Sequence, residues 1–294
     1  MSVRIIPRLD IKGPNLVKGI HFEGFRVLGK PENFARLYYM DGADELIYMD
    51  VVASLYGRNS LLDIVERTSK EIFIPLTVGG GLRNIEDIRR VLRAGADKVS
   101  INTAAMARPQ LVQEASRAFG SSTIVLSIEA IRRADGSYEA YVDYGRQSTG
   151  IDAFEWAKRA VDLGAGELLL TSIDREGTGK GFDLELIRKV AEAVPVPVIA
   201  AGGAGNVFHV REGIVEGHAD AVCLASVLHY RYFKQNEYND RDFDSEGNIE
   251  YLRRKGGFRN INGATMPEIK KNLLAHGILC RSPQQDRVAD TETL

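Results

Sequence analysis

The sequence predicts a (β/α)8 TIM barrel, an α/β fold, built from two (βα)4 half-barrel repeats with a long insertion after strand eight. Short aliphatic and β-branched segments alternate with segments of helical periodicity almost from end to end. Eight strand-helix units in roughly 250 residues match the usual size of this barrel. An internal repeat favours the closed barrel over an open, doubly wound sheet, which would show the same alternation.

The predicted strands are near-continuous apolar runs, which is typical of parallel strands buried on both faces. In chain order they are Arg4–Lys12, Glu45–Ala53, Ile74–Gly79, Lys98–Ile101, Thr123–Ala130, Glu167–Ile173, Val196–Ala201 and Ala221–Val227. The helices between them begin at capping residues. Asn84 and Asp183 each precede apolar residues at helical spacing, and residues Thr265 to Glu268 form a capping-box pattern with proline in the first turn.

The repeat consists of glycine-containing and strand-end segments that recur at a nearly constant offset. The matching pairs are Gly42 and Gly164, Gly95 and Gly217, Val78–Gly81 and Ala201–Ala204, and Ser100–Thr103 and Cys223–Ser226. The first two pairs are each separated by 122 residues and the last two by 123. Two copies of a (βα)4 unit close naturally into a barrel with a pseudo-twofold axis.

We expect a single barrel domain over residues 1–281. Residues 230–263 are polar, aromatic and glycine-containing, and they follow a strand end, so they form an insertion over the catalytic mouth. A lid or partner surface and a solvated insertion without function are equally compatible with this composition. Residues 282–294 read as a polar C-terminal tail.

The composition excludes several classes of function. Lys and Arg number 38 against 40 Asp and Glu, so the net charge of -2 creates no global attraction to nucleic acid or an anionic membrane. We find no apolar run of the ~20 residues that a membrane span needs and no secretory signal. Cys223 and Cys280 lack zinc or disulfide-framework spacing, and the five histidines are scattered. We therefore expect a cytoplasmic protein with no metal and no cofactor.

Two carboxylates are candidates for acid-base chemistry. Active sites of this fold lie at the C-terminal ends of the strands. Asp10 lies near the end of strand one and Glu129 near the end of strand five, and these opposed strands are related by the repeat. Facing carboxylates can act as general acid and general base if their pKa values are split. A lone strand-end acid is more often a solvated group or a helix cap, but the paired placement favours the catalytic interpretation.

The repeated glycine segments predict two anion sites. Glycine permits close approach of the backbone, and exposed N–H groups and hydroxyls can hold a phosphate. The first site comprises Gly79, Gly80, Gly81, Asn102 and Thr103, and the second comprises Gly202, Gly203, Ala225 and Ser226, with Thr171, Gly177 and Thr178 following from strand six. One such run would be weak support, because barrel-loop glycines are often turn residues. Two copies imply a substrate phosphorylated at both ends.

Four charged residues begin strands at the opposite, N-terminal face. They are Arg4, Glu45, Lys98 and Glu167, at strands one, two, four and six. Their side chains could form a ring of alternating charge around the barrel axis. Charges at strand starts commonly seal the bottom of a barrel, and the residues alone favour that structural interpretation.

Long motifs make the sequence resemble the HisF family, the cyclase subunits of imidazole glycerol phosphate synthase, over roughly residues 3–229 and the final helix. The motifs are Arg4–Asp10, Asp44–Asp50, Thr77–Gly81, Ala96–Thr103, Leu169–Thr178 and Ala201–Gly205. The related isomerase of the same pathway shares the duplicated barrel but matches these motifs less well.

The resemblance implies a lyase that receives ammonia from a glutaminase (HisH-like) subunit docked at the N-terminal face of the barrel. Ammonia would cross the barrel and attack a bisphosphorylated ribulosyl aminoimidazole intermediate, giving imidazole glycerol phosphate and an aminoimidazole carboxamide ribotide. By resemblance, Asp10 is an acid-base residue, Lys18 is the lysine of a mobile first loop and Asn102 lies beside the substrate. Gly80, Gly81 and Thr103 match one phosphate site, and Gly177, Gly203, Ala225 and Ser226 match the other. The four N-terminal charges all match the family's ammonia gate, which favours a gate over a seal.

The sequence departs from the family at several positions. The second catalytic carboxylate of the family is an aspartate, and Glu129 occupies its place. One extra methylene moves the carboxylate by about 1 Å, and a misplacement of that size can cost ~10²-fold in rate. Ala201 stands where the family often has a serine, and the insertion at 230–263 replaces a short loop.

These departures leave three hypotheses. The first is a working cyclase, and we place it first because both acid positions remain carboxylates and both phosphate sites are present. The second is a HisF paralogue of surface-polysaccharide biosynthesis that channels ammonia to amidate an acetamido sugar. Such paralogues often lose the strand-one aspartate, whereas this chain retains Asp10. The third is a non-catalytic scaffold that conducts ammonia and binds partners.

Overall fold

A computed structural model describes residues 2–53, 61–235 and 260–282. Within these ranges eight parallel strands form a closed barrel, and helices lie between successive strands, which confirms the predicted (β/α)8 fold. The barrel strands are β1 (Arg4–Lys12), β4 (Leu46–Asp50), β5 (Leu76–Gly79), β6 (Lys98–Ile101), β7 (Ile124–Arg132), β10 (Glu167–Ser172), β11 (Val198–Ala201) and β12 (Ala221–Leu224). They follow one another around the barrel in chain order, and β12 closes it by pairing with β1.

Two antiparallel hairpins extend the barrel at its C-terminal end. The first consists of β2 (Asn15–Ile20) and β3 (Glu23–Gly29) and pairs with β1, where Asp10 lies opposite Val17. The second consists of β8 (Tyr138–Val142) and β9 (Gln147–Asp152) and pairs with β7, where Glu129 lies opposite Tyr141. Both hairpins therefore grow from the strands that carry the predicted catalytic carboxylates.

The helices surround the barrel. Among the described residues they are α1 (Pro31–Met40), α2 (Leu62–Ser69), α3 (Ile85–Arg93), α4 (Thr103–Ala107), α5 (Gln110–Phe119), α6 (Ala153–Asp162), α7 (Leu184–Ala191), α8 (Val207–Val215), α9 (Ser226–Gln235) and α10 (Met266–Ala275). The three predicted helix starts are confirmed. Asn84 and Asp183 accept a backbone N–H at the start of α3 and α7, and Thr265 and Glu268 form both bonds of a capping box at α10.

The alternation of strand side chains separates the barrel interior from the layer under the helices. On β1, Arg4, Ile6, Arg8 and Asp10 share the interior face, whereas Leu9 and Ile11 are fully buried on the other face. The face of β1 that lines the barrel interior thus carries charged residues at both ends, and the opposite face packs into the apolar core. This arrangement leaves the two ends of the barrel available for polar chemistry.

The predicted insertion lies mostly outside the described residues. Residues 230–235 continue helix α9, residues 236–259 are not among those described, and the chain is described again from 260. Residues 283–294 of the predicted tail also lie outside the described ranges. In the part of the chain that the structure covers, no helix has the length and apolar character needed to cross a membrane.

Candidate active site

Asp10 is a buried carboxylate near the C-terminal end of β1. It is 1% exposed, and the Nε of Arg8 donates a hydrogen bond of 2.8 Å to its Oδ1. Burial by itself raises the pKa of Asp10, but the positive charges of Arg8 and Lys18 outweigh it and hold the pKa below its usual value. Asp10 is therefore an anion at neutral pH.

Glu129 is the buried carboxylate of β7. Its Oε2 accepts a hydrogen bond of 3.1 Å from the Asn102 amide. Burial raises the pKa of Glu129 to about 7, the Arg8 charge opposes this rise, and the charge of Asp10 adds to it. Near neutral pH the side chain is consequently present both as acid and as carboxylate.

The two carboxyl groups belong to one electrostatic unit at the mouth of the barrel. The charge of Asp10 acts on Glu129, and the charge of Arg8 acts on both. Their environments push the two pKa values apart, so one group stays ionised while the other can give or take a proton. Such a split defines separate acid and base roles in enzymes that use paired carboxylates.

The first predicted anion site lies in a cavity of about 380 Å³ beside Glu129. Its lining includes the predicted residues Gly80, Gly81, Asn102 and Thr103. Gly80 has φ +96°, and a Cβ there would lie 2.3 Å from the backbone oxygen of Asp50, so only glycine fits. Arg83 and Arg108, which sequence reasoning missed, also line the cavity; Arg83 donates a hydrogen bond to the carbonyl of Ala53, and Arg108 forms an ion pair with Glu114.

The second predicted anion site surrounds a much smaller cavity, of about 20 Å³. Its lining includes the predicted residues Gly177, Gly202, Gly203, Ala225 and Ser226. Arg8 and Glu176, which sequence reasoning also missed, line it from below and from the β10 side. Thr171 does not belong to this lining; it is fully buried on β10, in register with Glu129.

Lys18 lies on the first hairpin and is buried against the loop that follows β10. Its ammonium group forms an ion pair with the carboxylate of Glu176. The backbone N–H of His21 donates a bond of 3.0 Å to the carbonyl of Glu176, and a Cβ at Gly177 would lie 2.6 Å from the carbonyl of Gly19. The β2–β3 hairpin thus packs closely against residues 176–177 and covers part of the mouth.

The four charged residues at the N-terminal face do form a ring. Arg4 bonds Glu45 at 2.7 Å and also pairs with Glu167. Lys98 contacts the other oxygens of both glutamates, each at 3.0 Å. Each cation therefore lies between two anions, and the ring crosses the barrel axis below the mouth.

Other reactive side chains are poorly suited to chemistry. Burial raises the pKa of the Cys223 thiol to about 12, so the thiolate is not available at neutral pH. Burial, reinforced by the Lys18 charge, lowers the pKa of His229 to about 3, and this imidazole stays neutral. Within the described ranges, no group of three or more His, Cys, Asp and Glu side chains is arranged to hold a metal ion.

Comparisons with known proteins agree with the resemblance seen in the motifs. The sequence model of a family described as "Histidine biosynthesis protein" matches residues 4–234. A relative from Legionella pneumophila, named imidazole glycerol phosphate synthase subunit HisF, is 58% identical over 205 residues. That match covers 70% of this chain and 97% of the relative.

Proposed function

Because this chain is HisF-like and belongs to the family of histidine biosynthesis proteins, we propose that it is the cyclase subunit of an imidazole glycerol phosphate synthase. Its substrates are ammonia and a bisphosphorylated ribulosyl aminoimidazole intermediate. Its products are imidazole glycerol phosphate and an aminoimidazole carboxamide ribotide. The observation that carries the proposal is the split pair Asp10 and Glu129, held at one mouth between two anion cavities.

The placement of the two cavities fits a substrate with an anionic group at each end. One cavity lies at the ends of β5 and β6 and the other at the ends of β11 and β12, which the repeat relates to each other. Asp10 and Glu129 lie on β1 and β7, between the two sites around the barrel. A molecule bound at both ends presents its middle to the carboxylates, which limits its orientation before reaction.

The carboxylates supply the proton transfers that ring closure and cleavage need. Asp10, held ionised by Arg8 and Lys18, accepts a proton from the substrate. Glu129, with a pKa of about 7, donates a proton to the leaving fragment. The Asn102 amide keeps the Glu129 side chain directed at the larger cavity.

Ammonia reaches this site from a HisH-like glutaminase at the N-terminal face. The ring of Arg4, Glu45, Lys98 and Glu167 lies at that end of the barrel and acts as the gate, opening when one of its ion pairs separates. Two large apolar side chains at helix-to-strand connections of the same face support a docking surface there. Phe73 is 79% exposed and Met40 is 59% exposed.

The proposal is tested by turnover of the bisphosphorylated intermediate with ammonium salt, which bypasses the glutaminase. We expect both products, and we expect Asp10→Asn to abolish measurable turnover while a matched variant at an exposed aspartate, Asp162→Asn, leaves it unchanged. Absence of turnover in the folded wild-type chain would contradict the proposal, as would full activity of Asp10→Asn.

One observation favours a second candidate function. The Arg8–Asp10 ion pair occupies the strand-one carboxylate that the cyclase needs. A HisF paralogue that only channels ammonia, for amidation of an acetamido sugar, does not need a free carboxylate there. If the ammonium assay shows no turnover but the chain still stimulates its glutaminase, this paralogue function or that of an ammonia-conducting scaffold replaces the cyclase. Amidation of a nucleotide-linked acetamido sugar by the reconstituted complex then separates those two.

A further inference from the structure

Arg8 is a buried cation whose hydrogen-bonding capacity is largely unused. It lies two residues before Asp10 on β1, so both side chains share the interior face of the strand. Arg8 is 4% exposed. Its Nε donates to Asp10, whereas the buried Nη1 and Nη2 have no hydrogen-bond partner among the described residues.

Leaving these two nitrogens without acceptors is unfavourable. The guanidinium group carries five N–H donors and keeps its charge in proteins. Burial opposes that charge, but the carboxylate of Asp10 raises the pKa of Arg8 well above its usual value. A buried charged donor without a partner has lost its hydration without compensation. An anionic acceptor arriving at Nη1 and Nη2 would remove this cost.

Aromatic side chains fix the direction of the guanidinium group. Its central carbon lies 5.4 Å from the ring centre of Phe22 and 5.9 Å from that of Tyr144. The two rings also contact each other, with centres 4.2 Å apart. Contacts of this kind hold an arginine plane while leaving its edge free to bind. Arg8 is one of the residues that line the 20 Å³ cavity.

The internal repeat shows what Arg8 adds to this cavity. Ser127 lies two residues before Glu129, as Arg8 lies two residues before Asp10, and Ser127 lines the 380 Å³ cavity. The two cavities are otherwise formed by matching segments, Ser100–Thr103 in one and Cys223–Ser226 in the other. Arg8 thus places a long cationic side chain where the other half has a hydroxyl. Its bulk reduces the space in the second cavity, and its charge favours an anion there.

We propose that Arg8 is a binding residue of the second anion site and that its Nη1 and Nη2 hold an oxygen of a substrate phosphate or carboxylate group. The inference rests on the proposed function and narrows its substrate class to an asymmetric molecule. A cavity of about 20 Å³ has room for roughly one water-sized group. One oxygen of the anion therefore enters it, while the rest of the group faces the backbone of Gly177 and Gly203. The bulkier end of the substrate occupies the larger cavity.

The inference is tested by calorimetric titration of the full chain with inorganic phosphate and, in parallel, with acetate. We expect wild type to bind two phosphates, one at each cavity. Arg8→Ser, which copies the other half of the barrel, should weaken one of the two sites by about tenfold or more, because a charge-assisted hydrogen bond is lost. Arg8→Lys should restore part of the affinity, and Arg90→Ser, on the exposed surface of α3, is the matched control. Tighter binding of acetate than of phosphate identifies the recognised group as a carboxylate.

Unchanged affinity at both sites in Arg8→Ser overturns the inference, as does a wild-type chain that binds neither phosphate nor acetate at the second site. If Arg8→Ser does not fold, a crystal structure of wild type soaked in phosphate decides the matter. We expect a phosphate oxygen within hydrogen-bond distance of Nη1 or Nη2, and a cavity holding only water contradicts it. Phosphate binding at Arg8 without cyclase turnover contradicts the proposed function alone. Turnover without an anion at Arg8 contradicts this inference alone.

Discussion

Replacement of Glu129 by glutamine should change how the stability of the protein depends on pH. Burial raises the pKa of this carboxyl group from 4.5 to about 7. A change of that size corresponds to roughly 3 kcal/mol, as an upper value for one buried group. As the pH rises from 4.5 towards 7, the unfolded chain releases this proton before the folded chain does. Folded wild type then binds more protons than the unfolded chain, and stability falls across that window.

The glutamine variant lacks this titration and keeps an oxygen that can accept the Asn102 hydrogen bond. Between pH 5 and pH 8 its free energy of unfolding, measured relative to wild type, should therefore increase by roughly 2–3 kcal/mol. The free energies of unfolding of both proteins are measured by urea titration at several pH values and linear extrapolation. Glu66→Gln, on the exposed surface of α2, is the control. A constant difference between wild type and Glu129→Gln across this range would refute a buried carboxyl group with a raised pKa.

Three further changes test other parts of the structure. Lys98→Ala removes a cation that holds Glu45 and Glu167 together and should lower glutamine-driven turnover far more than ammonium-driven turnover; equal losses count against a gate. Lys18→Met leaves the buried carboxylate of Glu176 without its cation. It should therefore lower the free energy of unfolding, measured by urea titration, by about 3–5 kcal/mol, and a loss below about 1 kcal/mol contradicts the pairing. Thr265→Ala removes a capping bond of α10 and should cost about 1 kcal/mol in the same titrations; no measurable loss means that the cap adds nothing to global stability.

The barrel was predictable because its strands are buried on both faces and recur at a constant offset. The bounds of β1 and β6 agree with the predicted segments. The second predicted strand extends too far, to Ala53, because the apolar run continues after pairing ends at Asp50. An apolar run in the sequence indicates which residues are buried, but it does not indicate where the hydrogen bonding of a strand ends.

The two hairpins were not predicted, although the sequence of the second one contains features that favour a hairpin. Tyr138–Val142 contains two tyrosines and a valine, which favour strands, and it is followed by Asp143, Tyr144 and Gly145. All three of these turn residues have positive φ, which Asp and Gly tolerate well. The first hairpin is harder to recognise, because its turn residues His21 and Phe22 adopt positive φ without a glycine between them.

The candidate site was predictable where the repeat marks it and not where single side chains pair across distant loops. Asp10 and Glu129 follow from equivalent positions on opposed strands, and the glycines follow from their duplicated segments. The position of Arg8 on the interior face could have been predicted, because strand alternation places it on the same face as Asp10. Its pairing with Asp10, and that of Lys18 with Glu176, depend on the rotamers of long side chains and on the close approach of the first hairpin to residues 176–177.

The pH dependence of ammonium-driven turnover tests most directly whether Asp10 and Glu129 act as a split acid-base pair. The rate is measured at saturating bisphosphorylated intermediate and expressed per concentration of unprotonated ammonia. We predict that the corrected rate declines above about pH 7, because Glu129 loses the proton that it must donate. On the acidic side the rate should not decline until the pH falls below the usual pKa of an aspartate, because the pKa of Asp10 is lowered. A corrected rate that stays constant from pH 6 to pH 9 would contradict the assignment of Glu129 as the acid.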